Sequence, residues 1–202
     1  MDVISREDFI VMISQSGSIK NKNFAGIDLS GLSISNLKFD NCIFTGANFK
    51  NSELISVCFK SCYMKECIFI ETLLEDVYFY SHCTLDDSIV QNSYFDHLVS
   101  HLTVASGIKI IDSEFKNSSF IHASHQGSFL ENVTFDKSFF QMVFLCSSEL
   151  DNIKISNSVI ENIDINGSEI KNDFNIEFCL YTGFDVKVFR SMGIKIKKIY
   201  KE

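Results

Sequence analysis

The 202-residue chain contains no proline and no tryptophan. Proline marks most linkers and many turns, so its absence over this length argues for one uninterrupted architecture. No segment approaches the roughly 18 apolar residues of a membrane-spanning helix. Near the start, the apolar run at residues 9–13 is short and preceded by acids, so neither a signal peptide nor a membrane segment is expected, and the location is read as cytoplasmic. The seven cysteines are an odd number without a CxxC pair, which argues against a disulfide framework or a zinc site. GxSxG, P-loop, HExxH and Rossmann fingerprints are all missing, so no catalytic centre and no cofactor are expected. His82, His97, His101 and His122 lie near acids, but His82 and His101 are 19 apart and His97 and His122 are 25 apart. Those spacings suit a solvated surface better than a metal site.

Positive charge is also missing locally. No Lys or Arg lies between Lys65 and Lys109, where Glu66, Glu71, Glu75, Asp76, Asp86, Asp87 and Asp96 all occur. Residues 66–177 hold eighteen acids and five bases, a net of −13, whereas 1–65 carry +1 and 178–202 carry +4.

What the chain does have is a hydrophobic content of 46% with 20 phenylalanines, and a period. Leu130, Phe135, Phe140, Leu145 and Leu150 fall five residues apart, each preceded two places earlier by Ser128, Val133, Ser138, Val143 or Ser148. The frame runs back to Leu85 and forward to Ile170. A second frame runs from Phe24 to Phe79, and the step of six between Phe79 and Leu85 places a one-residue insertion near Ser81 and His82. Thirty units result, and only Ser100, Ala105 and His125 are poor centres. A helix repeats near 3.6 and a strand near 2, so neither alone explains five. Repeats of this kind stack to bury a core that no single unit can bury.

The segment FTGANFKNSEL, residues 44–54, resembles the pentapeptide-repeat family, whose units read A-(D/N)-(L/F)-x-x; Ala47-Asn48-Phe49 and Ser52-Glu53-Leu54 fit. The resemblance implies an all-β, right-handed quadrilateral parallel β-helix over 22–175, with four units per coil. An N-terminal cap (1–21) and a C-terminal capping and dimerisation tail (176–202) would flank it. Thirty units make about 7.5 coils and a rod of roughly 36 Å. A period of 20 then stacks Phe95, Phe115 and Phe135, and separately Phe39, Phe59 and Phe79, resuming at Phe120 and Phe140. Cys42, Cys62 and Cys83 share one inward position and read as reduced, packed thiols. Residues 6–16 can form a capping helix with Ser5 as N-cap.

After Ile170 the tail departs from the repeat. Residues 184–193 read as a helix ended by Gly193, followed by a strand-like Ile194-Lys195-Ile196. This ending resembles the topoisomerase-protecting branch of the family: quinolone-resistance, albicidin-resistance and microcin-immunity proteins. The matching residues are Val188, Phe189, Met192, Gly193 and Ile194. The resemblance implies a homodimer through Val188, Phe189, Met192, Ile194 and Ile196; an end cap that only shields the rod is the plainer reading.

The acidic stretch spans about 27 Å of rod, or about one net charge per 2 Å, against one per about 1.7 Å for duplex DNA. Such a rod repels nucleic acid and attracts a protein groove that binds DNA. The expected partner surface is Glu71, Glu75, Asp76, Asp86, Asp87, Asp96, Asp112, Glu114, Glu131 and Asp136, and the expected partner is a type II topoisomerase (DNA gyrase). Two plainer expectations stand beside it: acids that serve solubility alone, and a structural scaffold or effector with no topoisomerase role.

Overall fold

Each five-residue unit forms one side of a four-sided coil in the computed structural model, which describes residues 2–183 and 185–201. The central residue points inward, and the residue two places on turns the corner in the left-handed region. Asn51, Asp76, Asn132 and Asn152 do so with φ of 55°, 53°, 53° and 51°. Only glycine adopts that conformation freely, and Asn and Asp tolerate it better than other side chains, which explains their recurrence at this place. The five-residue frame thus encodes a corner as well as a core position.

Parallel pairing joins each coil to the next at a spacing of 20. One side, centred on Ile19, Phe39, Phe59, Phe79, Ser100, Phe120, Phe140, Ile160, Tyr181 and Lys201, is a ten-stranded sheet and is called here the fourth side. The second side, through Leu54's predecessor Phe49 to Ile170, and the third, from Ile34 to Ile196, share another sheet. Strands such as Lys109–Lys116 and Phe129–Asp136 run through the corner between those two. The first side, through Phe24, Phe44, Met64, Leu85 and His125, is held by single bridges such as Asn23↔Ile43 and Val104↔Ser124. Ten strands on the fourth side give nine steps of about 4.8 Å, a rod of about 43 Å.

The core is the expected set of ladders. Phe115 stacks on Phe95 at 4.3 Å and on Phe135 at 5.0 Å, and Phe59 lies between Phe39 and Phe79 at 5.3 and 5.2 Å. The ladder resumes with Phe120 on Phe140 at 5.4 Å. The small inward residue has its own task. Ser88 Oγ donates to Met64 O at 3.0 Å and Ser93 Oγ to Phe69 O at 3.1 Å, in the coil below. Other hydroxyls accept, as Ser148 Oγ does from Ser128 N at 3.1 Å. Buried polar groups must be paired, and a small hydroxyl or thiol here pairs backbone groups that the corner leaves open.

The insertion lies where the six-residue step put it. Ser81 and His82 both take positive φ, and the pairing offset changes from 20 at Lys60↔Tyr80 to 21 at Tyr63↔Thr84. Residues 97–109 do not protrude: Val99–His101 pairs on both sides, and Val104 bridges Thr84 and Ser124.

The ends depart from the expected length. Ile19 already sits in the core, one side earlier than Phe24. At the other end a second one-residue slip occurs: Leu150 pairs Ile170, but Ile153 pairs Phe174. After it the chain rejoins the coil instead of leaving it. Ile176 stacks on Ile155, Ile196 on Ile176, and Tyr200 pairs Leu180.

Two helices close the rod. Helix α1 (Arg6–Gln15) has Ser5 as its N-cap, accepting from Asp8 N at 3.1 Å. Its Phe9 is fully buried, edge-on to Phe24 at 5.2 Å. Helix α2 (Val186–Ser191) is shorter than the sequence reading, and Phe184 lies outside the described residues. Val186 stands 21 residues after Ile165, so α2 occupies the place where the next first and second sides would fall.

Candidate functional site

The coil sorts the acids by side. Of the ten expected partner-binding residues, Asp86 and Asp87 lie on the first side. Glu71, Asp112 and Glu131 lie on the second, and Glu75, Asp76, Asp96, Glu114 and Asp136 on the third. The structure therefore does not gather them into one patch; it spreads them over three sides. Among all eighteen acids of residues 66–177, only Glu161 belongs to the fourth side, and none of the five bases does.

The ten acids also differ in what they do. Glu71, Asp76, Asp87 and Asp112 are corner residues with positive φ. Part of the reason for an acid there is backbone conformation, which the charge pattern alone does not reveal. Asp87 crowds its neighbour as well: a Cβ on Gly107 would lie 2.5 Å from its Oδ1, so a larger residue at that corner would have to displace the Asp87 carboxylate. Asp112 accepts from Asn132 Nδ2 at 2.8 Å, and Asn132 Oδ1 accepts from Asn152 at 2.7 Å, a ladder up one corner.

Three others are tied in. Asp86 pairs with Lys65 at 2.9 Å and accepts from Ser106 N at 3.0 Å. Asp96 accepts from Asn117 Nδ2 at 2.7 Å and lies 3.1 Å from His97 Nδ1. Asp136 accepts from Asn157 at 2.7 Å and Ser156 at 2.9 Å. Burial pulls its carboxyl upward, but these donors and the nearby Lys137 and Lys116 outweigh it and hold it below the usual carboxylate range. Glu71 and Glu75 are exposed, and Glu75 sits in register with Asp96. The next residue up that column is Lys116, and Asp136 follows it. A base thus interrupts the third-side acids, and the spirals of uniform charge that DNA carries are not reproduced.

The tail residues are placed differently from the sequence expectation. Phe189, Ile194 and Ile196 are buried inside their own chain, and Met192 is half-buried. Only Val188, half exposed at 50%, remains turned outward. The rejoining of the coil accounts for this: a tail that continues the stack needs its apolar residues for its own core. The apolar surplus expected for a partner is not present on these five residues. Lys195 is joined to Asp173, and Lys197 lies 3.7 Å from Glu177, so tail bases meet last-coil acids within one chain.

Sequence spacing missed one pair of histidines. His101 and His122 are on adjacent coils with ring centroids 6.4 Å apart. Counting 21 rather than 20 across the corner would have found them. Among the described residues no group of three or more His, Cys, Asp or Glu is placed to hold a metal. The thiols are all free; Cys42, Cys62 and Cys83 form the inward column, with Cys62 N donating to Cys83 Sγ at 3.3 Å. Burial pushes the nearby Cys67 thiol up to about 12, which keeps it an unreactive thiol.

The interior is not quite filled. Ser100 and Ala105 stand where large centres belong, and a void of about 50 Å³ lies between Phe79, Phe95, Phe120 and His125. The Nε2 of His125 is enclosed and has no hydrogen-bond partner among the described residues. Burial drives this ring down to about 4, so it is neutral near pH 7. A groove of about 350 Å³ lies outside, between α2 and the last coils, lined by Met142, Phe144, Asp164 and Val188. Among the described residues no helix is long and apolar enough to cross a membrane.

The family model for pentapeptide repeats matches residues 33–70 with eight copies. No curated protein matches the chain. Among solved structures, the chain is similar to HetL, a pentapeptide repeat protein involved in heterocyst differentiation regulation in the cyanobacterium Nostoc sp. Strain PCC 7120. The identity is 9% over 82% of this chain and 92% of that one, with a TM-score of 0.47. It is also similar to trypsin-treated QnrB1, a plasmid-mediated fluoroquinolone resistance protein, at 16% identity over 77% of this chain and 92% of that one (TM-score 0.42). Rfr23 from the cyanobacterium Cyanothece 51142 matches at 13% identity over 80% and 92%, with a TM-score of 0.36. Overlaps this loose transfer no function. The family model matches eight consecutive sides, and the same five-residue side is built from Ile19 to Tyr181, so the fold is a parallel β-solenoid with four five-residue sides per coil.

Proposed function

We propose that the chain is a non-catalytic docking rod whose three acidic sides engage a cationic protein groove of the kind that holds DNA. Type II topoisomerase (DNA gyrase) is the partner to which the sequence resemblance points, and protection of that enzyme from a poison is the corresponding role. One observation carries the reading: seventeen of the eighteen acids in residues 66–177 stand on three sides, against five bases. Charge of one sign around most of a narrow rod attracts an opposite groove at long range and speeds docking. A cytoplasmic setting accords with seven free thiols, five of them buried.

The test is charge reversal of acids outside the hydrogen-bonded set: Glu71→Lys, Glu75→Lys and Glu131→Lys together. Lysine adopts the left-handed corner conformation that Glu71 has, as Lys137 and Lys198 do at another corner. Partner affinity should fall at least tenfold at low salt, and the residual binding should depend less on salt. Folding should hardly change, since exposed charges contribute little to stability. Unchanged affinity at low salt would leave solubility as the purpose of the acids.

The second reading, a scaffold with no topoisomerase role, is favoured by the stretch of the fourth side between Lys60 and Lys201, where Glu161 is the one charged residue on the face. A polyanion mimic has no need of a neutral strip.

A further inference from the structure

The fourth side is unlike the other three. Its outward column before the core position runs Tyr78, Val99, Ser119, Phe139, Val159, Leu180 and Tyr200, each paired with the next. Between Lys60 and Lys201 this side holds no base, and Glu161 is its only acid, hydrogen-bonded to Gln141 Nε2 at 2.7 Å. Eleven large apolar side chains are exposed among the described residues. Tyr78 (43%), Leu180 (42%) and Tyr200 (60%) stand on this side; Phe178 and Met142 stand at its two corners, Phe178 in the corner column that also holds Asp76 and Lys137.

We infer that this strip is a self-association face, and that two copies of the chain pack side to side through it. Charge selects the occupant. In residues 66–177 each of the other sides carries several uncompensated acids, so two copies approaching on any of them meet like charge. The fourth side carries the fewest charges over this stretch, Glu161 on its face with Asp76 and Lys137 at one corner, so two copies meet there with the least penalty. Shape agrees. The strands' hydrogen bonds are used along the stack, so the strip offers a flat face of side chains and no open edge. A second copy supplies a strip of the same length and flatness, and an isologous contact closes a dimer without growing a fibre. Seven rows at about 4.8 Å, with a width of about 15 Å, give roughly 500 Å² per copy and about 1,000 Å² in all. That is the lower edge of specific interfaces, so a weak, reversible dimer is expected. The inference does not rest on the proposed partner. Joined this way, a dimer would still turn its three acidic sides outward.

Sedimentation equilibrium of the full chain over roughly 1–100 µM tests this. The natural chain should show a monomer–dimer equilibrium that added salt does not weaken, because the contact is apolar. Phe139→Lys with Val159→Lys should weaken it at least tenfold. Tyr200→Glu, at a 60% exposed position near the end, should weaken it several-fold and guards against a fold defect in the first variant. Glu131→Lys with Thr134→Lys, on the acidic sides, should leave the dimer in place. Val188→Asp, on α2, should also leave it in place; its loss there alone would assign the dimer to the tail and overturn the inference. A natural chain that stays monomeric at 100 µM overturns it as well, whether the strip then serves another protein or none.

Discussion

Phe115 lies between the rings of Phe95 and Phe135 and is almost fully buried, while its neighbour Lys116 points outward. Rings held above and below leave little room for collapse. Phe115→Ala should therefore cost about 3–5 kcal/mol and Lys116→Ala no more than about 0.5 kcal/mol, read by urea unfolding. Similar losses for the two would show that the inward register is wrong. His125 makes a different residue-scale prediction. Its ring is held down to about 4 by burial, and unfolding returns it to about 6.5. Between those values the unfolded chain binds the extra proton. Stability is then full above about pH 6.5 and falls with pH through that window, by up to about 1.4 kcal/mol per pH unit. His125→Leu should flatten that slope between pH 7 and 5. An identical slope in both proteins would mean that His125 is not the titrating group.

At the scale of elements, the ends decide whether the rod is closed. If Phe189 caps its own chain, Phe189→Ala should cost about 3 kcal/mol, and the loss should be the same at roughly 2 and 100 µM protein. If it filled a partner's surface, the loss would grow with concentration. Val188→Ala, beside it but half exposed, should change little. Thermal unfolding of both variants at the two concentrations separates these outcomes. Much of the element pattern was legible in the sequence. Large residues five apart, with Phe115 twenty after Phe95, specify sides and ladders because the core repeats strictly, and the step of six at Ser81–His82 marks an insertion. The slip between Ile170 and Phe174 was hard to read, since two of the tail's corner residues, Phe178 and Lys198, are not the Asn, Asp or Gly that announce a left-handed turn; Gly183 is the exception. The return of 174–182 and 195–201 to the stack was hidden for the same reason. The acids of the candidate site were legible as a composition. Their sorting onto three sides was not, because it needs each residue's side as well as its number.

The whole molecule joins an interior packed except for the small void beside His125 to a surface of two kinds: three acidic sides and one strip of few charges. The interior is stacked from Ile19 to Ile196, and the proposed binding role rests on the surface. The central claim is that the acidic sides dock on a cationic groove shaped for DNA. The most direct measurement is DNA gyrase supercoiling in the presence of the purified chain, with relaxed plasmid as substrate, at low and at physiological salt. The account predicts that micromolar protein changes the rate or the drug sensitivity of supercoiling, that excess plasmid competes the effect away, and that salt weakens it. Unaltered supercoiling and unaltered drug sensitivity at low salt, with the chain folded and in excess over the enzyme, would contradict it.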